Sequence, residues 1–404
     1  MIKTQKGQSF FSIFLLWGLL LLWVPLAGCG IQDPTDNKGQ DAGAFDTDGG
    51  EQPEPAPTSY EAWFSHPEPG QPDETIEAKI VEFLEQAPQD TTIRAAFYTF
   101  GRDSVAEAFG DAHDRGADVR VVLGNTSRHS GGADWSAVTI LRDRLGSRLT
   151  VCRDGESDGG CLGENIQHNK FITFSELADG SGNVVFQTSA NLTEFQLSQY
   201  NNLLIVRDDP ALYDAYFSYW EDLRRDETNL EYDRSVRGDG ETKVYFFPLS
   251  EGDPILEALE RVDCQQGASV YVAMAFFTNS RSDVAEQMRQ MDQEGCQIRV
   301  VLRERPQINS PGIQIMGNLE TGDIDVAIFP EEEAIQLHSK YMLIDGHYDG
   351  QGDRKVVWTG SHNFTISALR YNDETVLKVE DDEIFEAYRG DWQHLRQRAV
   401  DVHP

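Results

Sequence analysis

The sequence predicts an α/β protein in which one β-α-β plan is used twice, giving two similar domains in succession. IRAAFYTFGRDSVAEAF followed by GADVRVVLGN in the first half is echoed by VYVAMAFFTNSRSDVAEQM followed by GCQIRVVLRE in the second, with Ala96 set against Ala275 and Val121 against Val300 at one common offset. Each copy reads as a buried β-branched strand, an amphipathic helix and a second apolar strand, the pattern of a largely parallel sheet. At 404 residues and 39% hydrophobic content the chain is long enough for two real cores, which excludes disorder throughout.

Before the repeat come two segments of another kind. Lys3 and Lys6 precede an apolar run from Phe10 to Val24, followed by Leu26, Ala27, Gly28 and Cys29. This resembles a bacterial lipoprotein leader, so residues 1–28 are expected to be removed and Cys29 to carry the lipid. The run is short for a spanning helix. Gly30 rather than aspartate follows the cysteine, which points to an outer-membrane address in a cell with two membranes. Residues 29–59, with DPTDNKGQDAGAFDTDGGEQPEPAP, have no hydrophobic period and read as a flexible acidic tether. Their aspartates match no complete EF-hand loop. The two domains are then expected at 60–235 and 241–404, with the polar seam YDRSVRGDGE between them.

Formal net charge is −34, most of it on the body. Such a molecule repels polyanions at long range and lacks the basic stripe of a nucleic-acid binder, although a local pocket can be positive on a negative protein. With Cys29 assigned to lipid, Cys152, Cys161, Cys264 and Cys296 remain in an oxidising compartment. Of three connectivities, Cys152 with Cys161 and Cys264 with Cys296 is favoured. The first pair closes a short loop, and in the second each cysteine ends a predicted helix ahead of a strand. None has metal-ligand spacing, and no metal or cofactor is expected.

The chemistry stands later in each half. The second half has LHSKYMLID, giving His338, Lys340 and Asp345, then VVWTGSHNFT, giving Gly360, Ser361 and Asn363, then NDE ending at Glu374. The first half has QHNKFITFS, giving His168 and Lys170, then VVFQTSANLT, giving Ser189 and Asn191, then YNN ending at Asn202. Equal spacing from the S-x-N asparagine sets Asn202 against Glu374.

The second half resembles a full phospholipase D superfamily signature, H-x-K-x(4)-D, then G-S-x-N, then a downstream glutamate. The first half resembles a partly eroded copy, and the likeness covers the body from about Tyr60 to the end. It implies two phospholipase D-like domains packed with pseudo-twofold symmetry around a single active site at their interface, so that a monomer suffices.

In H-x-K on a strand, alternation places both side chains on one face, where imidazole and ammonium meet one ligand together. Two such strands surround a phosphate with two imidazoles and two ammonium groups. Lys170, Lys340, Asn191, Asn363, Ser189 and Ser361 are donors suited to the charge that grows on its oxygens, and the serines and asparagines also suit helix capping. Two histidines permit a two-step displacement: one attacks phosphorus, the other protonates the leaving alkoxide and then takes a proton from water. By analogy with two-copy relatives, His168 is the nucleophile and His338 the acid and base. The first half departs from the pattern at Ser175 for the aspartate, Thr188 for the glycine and Asn202 for the glutamate. The resemblance makes the downstream carboxylate an orienter of imidazole, so one histidine is expected to lean on a carboxylate and the other on an amide.

Other residues weigh less. His362 suits either the pocket or simple packing, and His129, His347, His394 and His403 share no spacing and read as surface. Arg128, Arg303 and Arg305 follow the equivalent RVVL strands, where ligands of open α/β sheets gather, and suit either steering of phosphate or the surface. Phe97, Tyr98, Phe276 and Phe277 read as core and cleft wall.

Three functions follow. The first is a metal-independent phosphodiesterase cleaving phospholipid head groups through a phosphohistidine, favoured by the anchor and the missing basic stripe. The second is an endonuclease of the same superfamily, and the third a non-catalytic phosphate-binding lipoprotein.

Overall fold

In the computed structural model, which describes residues 56–125, 134–154 and 159–402, each half builds one sheet. The first half runs β1 (Ser59–Ser65), α1 (Thr75–Gln86), β2 (Thr92–Phe97), α2 (Asp103–Asp114), β3 (Asp118–Leu123), α3 (Ser136–Leu145), β4 (Leu149–Val151), β5 (Lys170–Glu176), β6 (Gly182–Thr188), β7 (Gln199–Arg207) and α4 (Pro210–Arg225). The second runs β8 (Arg234–Arg237), β9 (Thr242–Phe246), α5 (Pro254–Glu260), β10 (Ala268–Met274), α6 (Ser282–Gln293), β11 (Gln297–Arg303), α7 (Ile313–Leu319), β12 (Asp325–Phe329), β13 (Gln336–Leu337), β14 (Lys340–Tyr348), β15 (Gln351–Gly360), α8 (Ile366–Arg370), β16 (Thr375–Glu380), α9 (Asp382–Arg398) and β17 (Val400–Asp401). Cys29, the leader, most of the tether, Arg128, His129 and His403 lie outside the described residues.

The first sheet is ordered β1-β7-β6-β5-β2-β3-β4, with β13 added beside β7, and the second β17-β12-β11-β10-β14-β15-β16-β9-β8. Both are mixed rather than largely parallel. β2–β3 and β3–β4 are parallel, whereas β2–β5, β5–β6, β6–β7 and β1–β7 are antiparallel. The crossover helices α2 and α3 force parallel neighbours only where they occur; the H-x-K strands return through hairpins, whose direction apolar patterning does not reveal.

Helices α1–α3 bury the outer face of the first sheet through Phe83, Val105, Phe109 and Leu141, and α5–α7 cover the second through Ile255, Val284, Met288 and Ile315. Between the two inner faces lie α4 and α9, in one core that draws Tyr216, Tyr219 and Trp220 from one half and Phe385, Tyr388 and Trp392 from the other. Both helices start from an aspartate whose carboxylate accepts a backbone N–H, Asp209 from Leu212 and Asp381 from Ile384. Trp220 Nε1 donates to Ala95 O at 2.8 Å, and Trp392 Nε1 donates to Val272 O at 3.0 Å, so the halves repeat in detail.

The repeat is not uniform. Phe97 pairs with Lys170 and Met274 with Lys340, so Ala96 corresponds to Ala273 and not to Ala275. The following strands keep the expected match, Val121 with Val300, because the loop after β10 is two residues longer and holds the extra turn Asn279–Arg281. The expected seam at 233–241 is also structured: it is β8 and its turn to β9, an edge hairpin of the second sheet. The buried Asp209 carboxylate ties that turn down, accepting from Asp239 N, Gly240 N and Thr242 Oγ1. All described residues belong to one compact unit. Among them no helix is long and apolar enough to cross a membrane.

Candidate active site

Lys170 and Lys340 are the first residues of β5 and β14, and each histidine stands two residues earlier, where the chain crosses to the opposite half. His168 N–H donates to Asp373 O and His338 N–H donates to Tyr200 O, both at 2.9 Å. The side chains cross as well. His168 Nδ1 donates to Glu374 Oε2 at 2.8 Å, and His338 Nδ1 donates to Asn201 Oδ1 at 2.9 Å. Ser361 Oγ donates to Glu374 Oε2 at 2.5 Å and Ser189 Oγ to Asn201 Oδ1 at 3.2 Å. Each imidazole is thus held through Nδ1 by a serine-backed acceptor from the other half.

Asn201 therefore occupies the place expected of Asn202. One residue further on, Asn202 braces the second sheet, its Oδ1 accepting from Lys340 N at 3.1 Å and its Nδ2 donating to Thr359 Oγ1 at 2.7 Å. Its counterpart is Thr375, whose Oγ1 donates to Asn169 Oδ1 at 2.7 Å. Equal spacing from S-x-N misleads because the first-half loop is one residue shorter. Matching the strands TVLKV and LLIV themselves pairs Glu374 with Asn201.

Asp345 is the other departure. It lies half-exposed five residues along β14 from Lys340, roughly 17 Å away at about 3.4 Å per residue, too far to touch the site. Its first-half counterpart, Ser175, accepts Thr92 N. Thr188, in place of a glycine, donates to Asn202 O at 2.8 Å. At Gly360, its equivalent, a Cβ would run into Thr375 O, so the second half has no room for a side chain there.

The cleft floor is buried: Lys170 is 0% and Lys340 1% exposed, and the histidines 6% and 5%. Lys170 Nζ donates to His168 O at 2.6 Å and Lys340 Nζ to His338 O at 2.7 Å, with the Lys340 ammonium 3.2–3.3 Å from the His338 ring nitrogens. The buried Asn191 and Asn363 Oδ1 atoms, in the two S-x-N segments, meet no partner. The Tyr98 ring stands 5.0 Å from that of His168 and 5.1 Å from Lys170 Nζ, making the first-half wall. Phe97 and Phe277 are core. His362 is buried against Phe247, its ring nitrogens unpartnered, and lines a cavity of about 10 Å³ beside Lys340, room for about one water. His394 stacks on His66 at 4.2 Å away from the site, and His347 is half-buried near Asp263.

Burial, with the two lysines adding, holds His168 and His338 well below the usual imidazole range, which favours the neutral rings while the site is empty. Burial also brings Lys170 down to about 7 and Lys340 well below an ordinary lysine. Glu374 is pushed up to about 8 by burial, against the pull of Lys170 and the hydrogen bonds from Asn372 and Ser361. Among the described residues Glu374 is the carboxylate that acts on both lysines, from beyond ion-pair distance, so an arriving phosphodiester supplies the close counter-anion. Next to Glu374, Asp373 is fully buried and accepts from the N–H groups of Cys161, Leu162 and Gly163. Cys152 and Cys161 are bonded to each other, as are Cys264 and Cys296. The first bridge therefore fixes the loop that holds Asp373, and with it the strand end presenting Glu374 to His168. Among the described residues the one grouping of metal donors is Cys152, Cys161 and Asp226, whose sulfurs are joined.

A family model described as "Cardiolipin synthase, PLD-like domain" matches residues 80–224 and 263–396, one segment in each half and together well over half of the chain. The chain belongs to the phospholipase D superfamily. Its relatives in this superfamily include the mitochondrial cardiolipin hydrolase of Xenopus laevis, 25% identical over 170 residues, 38% of this chain and 75% of that protein. The phospholipase D of Rickettsia prowazekii (strain Madrid E) is 27% identical over 149 residues, 37% and 64% of the two chains. Among solved structures, phosphatidylserine synthase from Haemophilus influenzae Rd KW20 superposes with TM-score 0.55 at 12% identity, covering 81% of this chain and 85% of that one. Polyphosphate kinase from Porphyromonas gingivalis superposes with TM-score 0.54 at 13% identity over 83% of this chain, which spans only 50% of the kinase. Identities this low speak for the shared fold alone. The sequence relatives place the chain among phosphodiester-acting enzymes.

Proposed function

We propose that this chain is a metal-independent phospholipase D-type phosphodiesterase that hydrolyses phospholipid head-group bonds through a phosphohistidine. The observation that carries the reading is the reciprocal grip on the imidazoles, each held through Nδ1 by the opposite half above two buried lysines. Held so, neutral His168 directs the Nε2 lone pair at phosphorus. The N–P bond forms as the bond to the leaving oxygen breaks, and His338, protonated at Nε2 once the anionic phosphodiester is bound beside it, gives that proton to the leaving oxygen. Water then attacks phosphorus and yields a proton to His338, and the N–P bond breaks, restoring both rings. Lys170 and Lys340, with the amides of Asn191 and Asn363, hold the charge on the non-bridging oxygens, while Ser189 and Ser361 spend their protons on the acceptors that orient the imidazoles. Glu374, which of the two histidines holds only His168, stabilises positive charge on the ring that becomes phosphorylated, which supports His168 as the nucleophile. Since these donors are side chains already in place, no metal is needed to carry that charge. The leader and Cys29 support an exported, lipid-anchored protein acting at the cell envelope, with outer-membrane placement following from Gly30.

The test incubates the protein, Cys29 removed, with labelled phosphatidylcholine, cardiolipin and single-stranded DNA in EDTA. Head-group release from lipid is expected. Cleavage of DNA alone would make it a nuclease, no turnover a binding protein, and loss on chelation restored by calcium or zinc would end the metal-independent account.

A further inference from the structure

Arg303 ends β11, which lies beside β10, which lies beside β14 with Lys340 at its start. Two strand spacings of about 4.8 Å put its backbone roughly 10 Å from the H-x-K segment, within reach of a long side chain. Arg303 is only 8% exposed. Elsewhere in this protein buried arginines are paired, Arg281 with Asp253 at 2.5 Å and Arg94 with Asp118 at 2.7 Å. Arg303 is different: among the described residues no carboxylate lies within ion-pair distance of it, and its Nε meets no acceptor. Its guanidinium lies 5.7 Å from the centre of the Phe276 ring, and that of exposed Arg305 5.4 Å from the same ring. Burial, with Arg305 adding, lowers Arg303 to about 10, and its positive charge in turn bears on His338 and Lys340. Glu331 is the acidic group that acts on it, from beyond ion-pair distance.

At the matching position the first half has no arginine. Leu302 corresponds to Leu123 through the pairing with Met274 and Phe97, so Arg303 corresponds to Gly124. There a Cβ would meet Tyr98 O at 2.7 Å and Gln167 O at 3.1 Å, so the first half has no room for a side chain. Among the described residues the additional cations therefore belong to the His338 side alone. A single phosphodiester charge is already matched by Lys170 and Lys340. An unpaired, buried guanidinium beyond them is stabilised when the substrate brings a second anion.

We propose that Arg303 and Arg305, laid against Phe276, form a second anion subsite on the leaving-group side of the cleft, built for a phosphodiester whose leaving alcohol carries another phosphate. The inference rests on the phosphodiesterase reading above and on His338 as the proton donor to that alcohol. Hydrolysis of cardiolipin, whose leaving alcohol bears a second phosphodiester, is compared with that of phosphatidylglycerol in the same mixed micelles. The wild type favours cardiolipin in kcat/KM. Arg303→Gln lowers that ratio about 10- to 100-fold, chiefly through KM, and Arg303→Lys restores part of it. Arg305→Gln, at an exposed position that does not bear on folding, lowers it by a smaller factor and decides the matter if the Arg303 variant does not fold. No wild-type preference, or a ratio unmoved within twofold in these variants, overturns the subsite. Calorimetric binding of 1,3-propanediol bisphosphate against propyl phosphate reads the subsite without turnover. A bisphosphate preference that depends on Arg303 in a protein that cleaves no lipid would sink the phospholipid reading and leave the subsite standing. Equal binding in a protein that does cleave lipid would do the reverse.

Discussion

Moving a carboxylate onto His338 tests the site at its asymmetry. Asn201→Asp keeps the oxygen that accepts His338 Nδ1 at 2.9 Å and Ser189 Oγ at 3.2 Å, and adds a negative charge. At an effective dielectric constant of about 20, unit charges about 4 Å apart attract by about 4 kcal/mol. That equals about 3 pH units at 1.36 kcal/mol each, and desolvation of the new carboxylate takes back part of it, leaving a rise of about 1–3 units in the His338 pKa. Wild-type His338 lies well below the usual range. Its proton-donating form is lost as pH rises through the pKa, so the alkaline limb of the kcat profile, read with bis(p-nitrophenyl) phosphate, should move up by that amount. Histidine ring resonances titrated by NMR read the same shift without turnover. The variant also loses the Nδ2 donor to Gln196 O and Gln199 O, so its thermal midpoint falls. Asn202→Asp is the control, one residue away with its side chain on Lys340 N and Thr359: it should lower the midpoint and leave the His338 titration in place. A pKa that rises in Asn202→Asp and not in Asn201→Asp would refute the pairing of Asn201 with His338.

His168→Ala should abolish the covalent intermediate, whereas His338→Ala, given a good leaving group, should accumulate an acid-labile, base-stable adduct on the His168 peptide; trapping it on the His338 peptide would reverse the assignment. Lys170, at about 7 in the empty site, should lose its charge as pH rises through that value. Binding of sulfate, which does not titrate there, should therefore weaken above about pH 7 by calorimetry, and a flat profile to pH 9 would contradict it. The Cys152–Cys161 bridge closes a span of 9 residues, worth roughly 2.5–3 kcal/mol in the chain-entropy picture. Replacing both cysteines by serine should lower the thermal midpoint and also kcat, because the freed loop no longer holds Asp373. Replacing Cys264 and Cys296 should lower stability with a smaller effect on kcat, and equal kcat losses would remove the link from bridge to histidine.

The chemistry was legible in the sequence because it depends on residue types at short, fixed separations. H-x-K needs only strand alternation to put imidazole and ammonium on one face, and its two copies imply a shared site. Sheet direction was not legible, since apolar alternation looks the same in parallel and antiparallel strands. Nor were the relations that cross a loop of variable length. Two extra residues after β10 shift Ala96 onto Ala273, and one fewer before β7 puts Asn201, not Asn202, against His338. Asp345, which the motif places with the site, is carried some 17 Å off by the rise of the strand itself.

By itself the sequence determined the repeat, the four His and Lys side chains, the supporting serines and the candidate disulfide partners, because each is fixed by local periodicity or composition. Only the tertiary structure decided which half holds which histidine. His168 leans on Glu374 and His338 on Asn201 because the halves exchange strand ends across their common core, bringing together residues 206 and 137 positions apart. The same packing buries the two lysines beside the imidazoles and leaves Arg303, among the described residues, with no carboxylate at ion-pair distance. Electrostatic consequences of burial arise between distant segments, and no pattern along the chain encodes that distance.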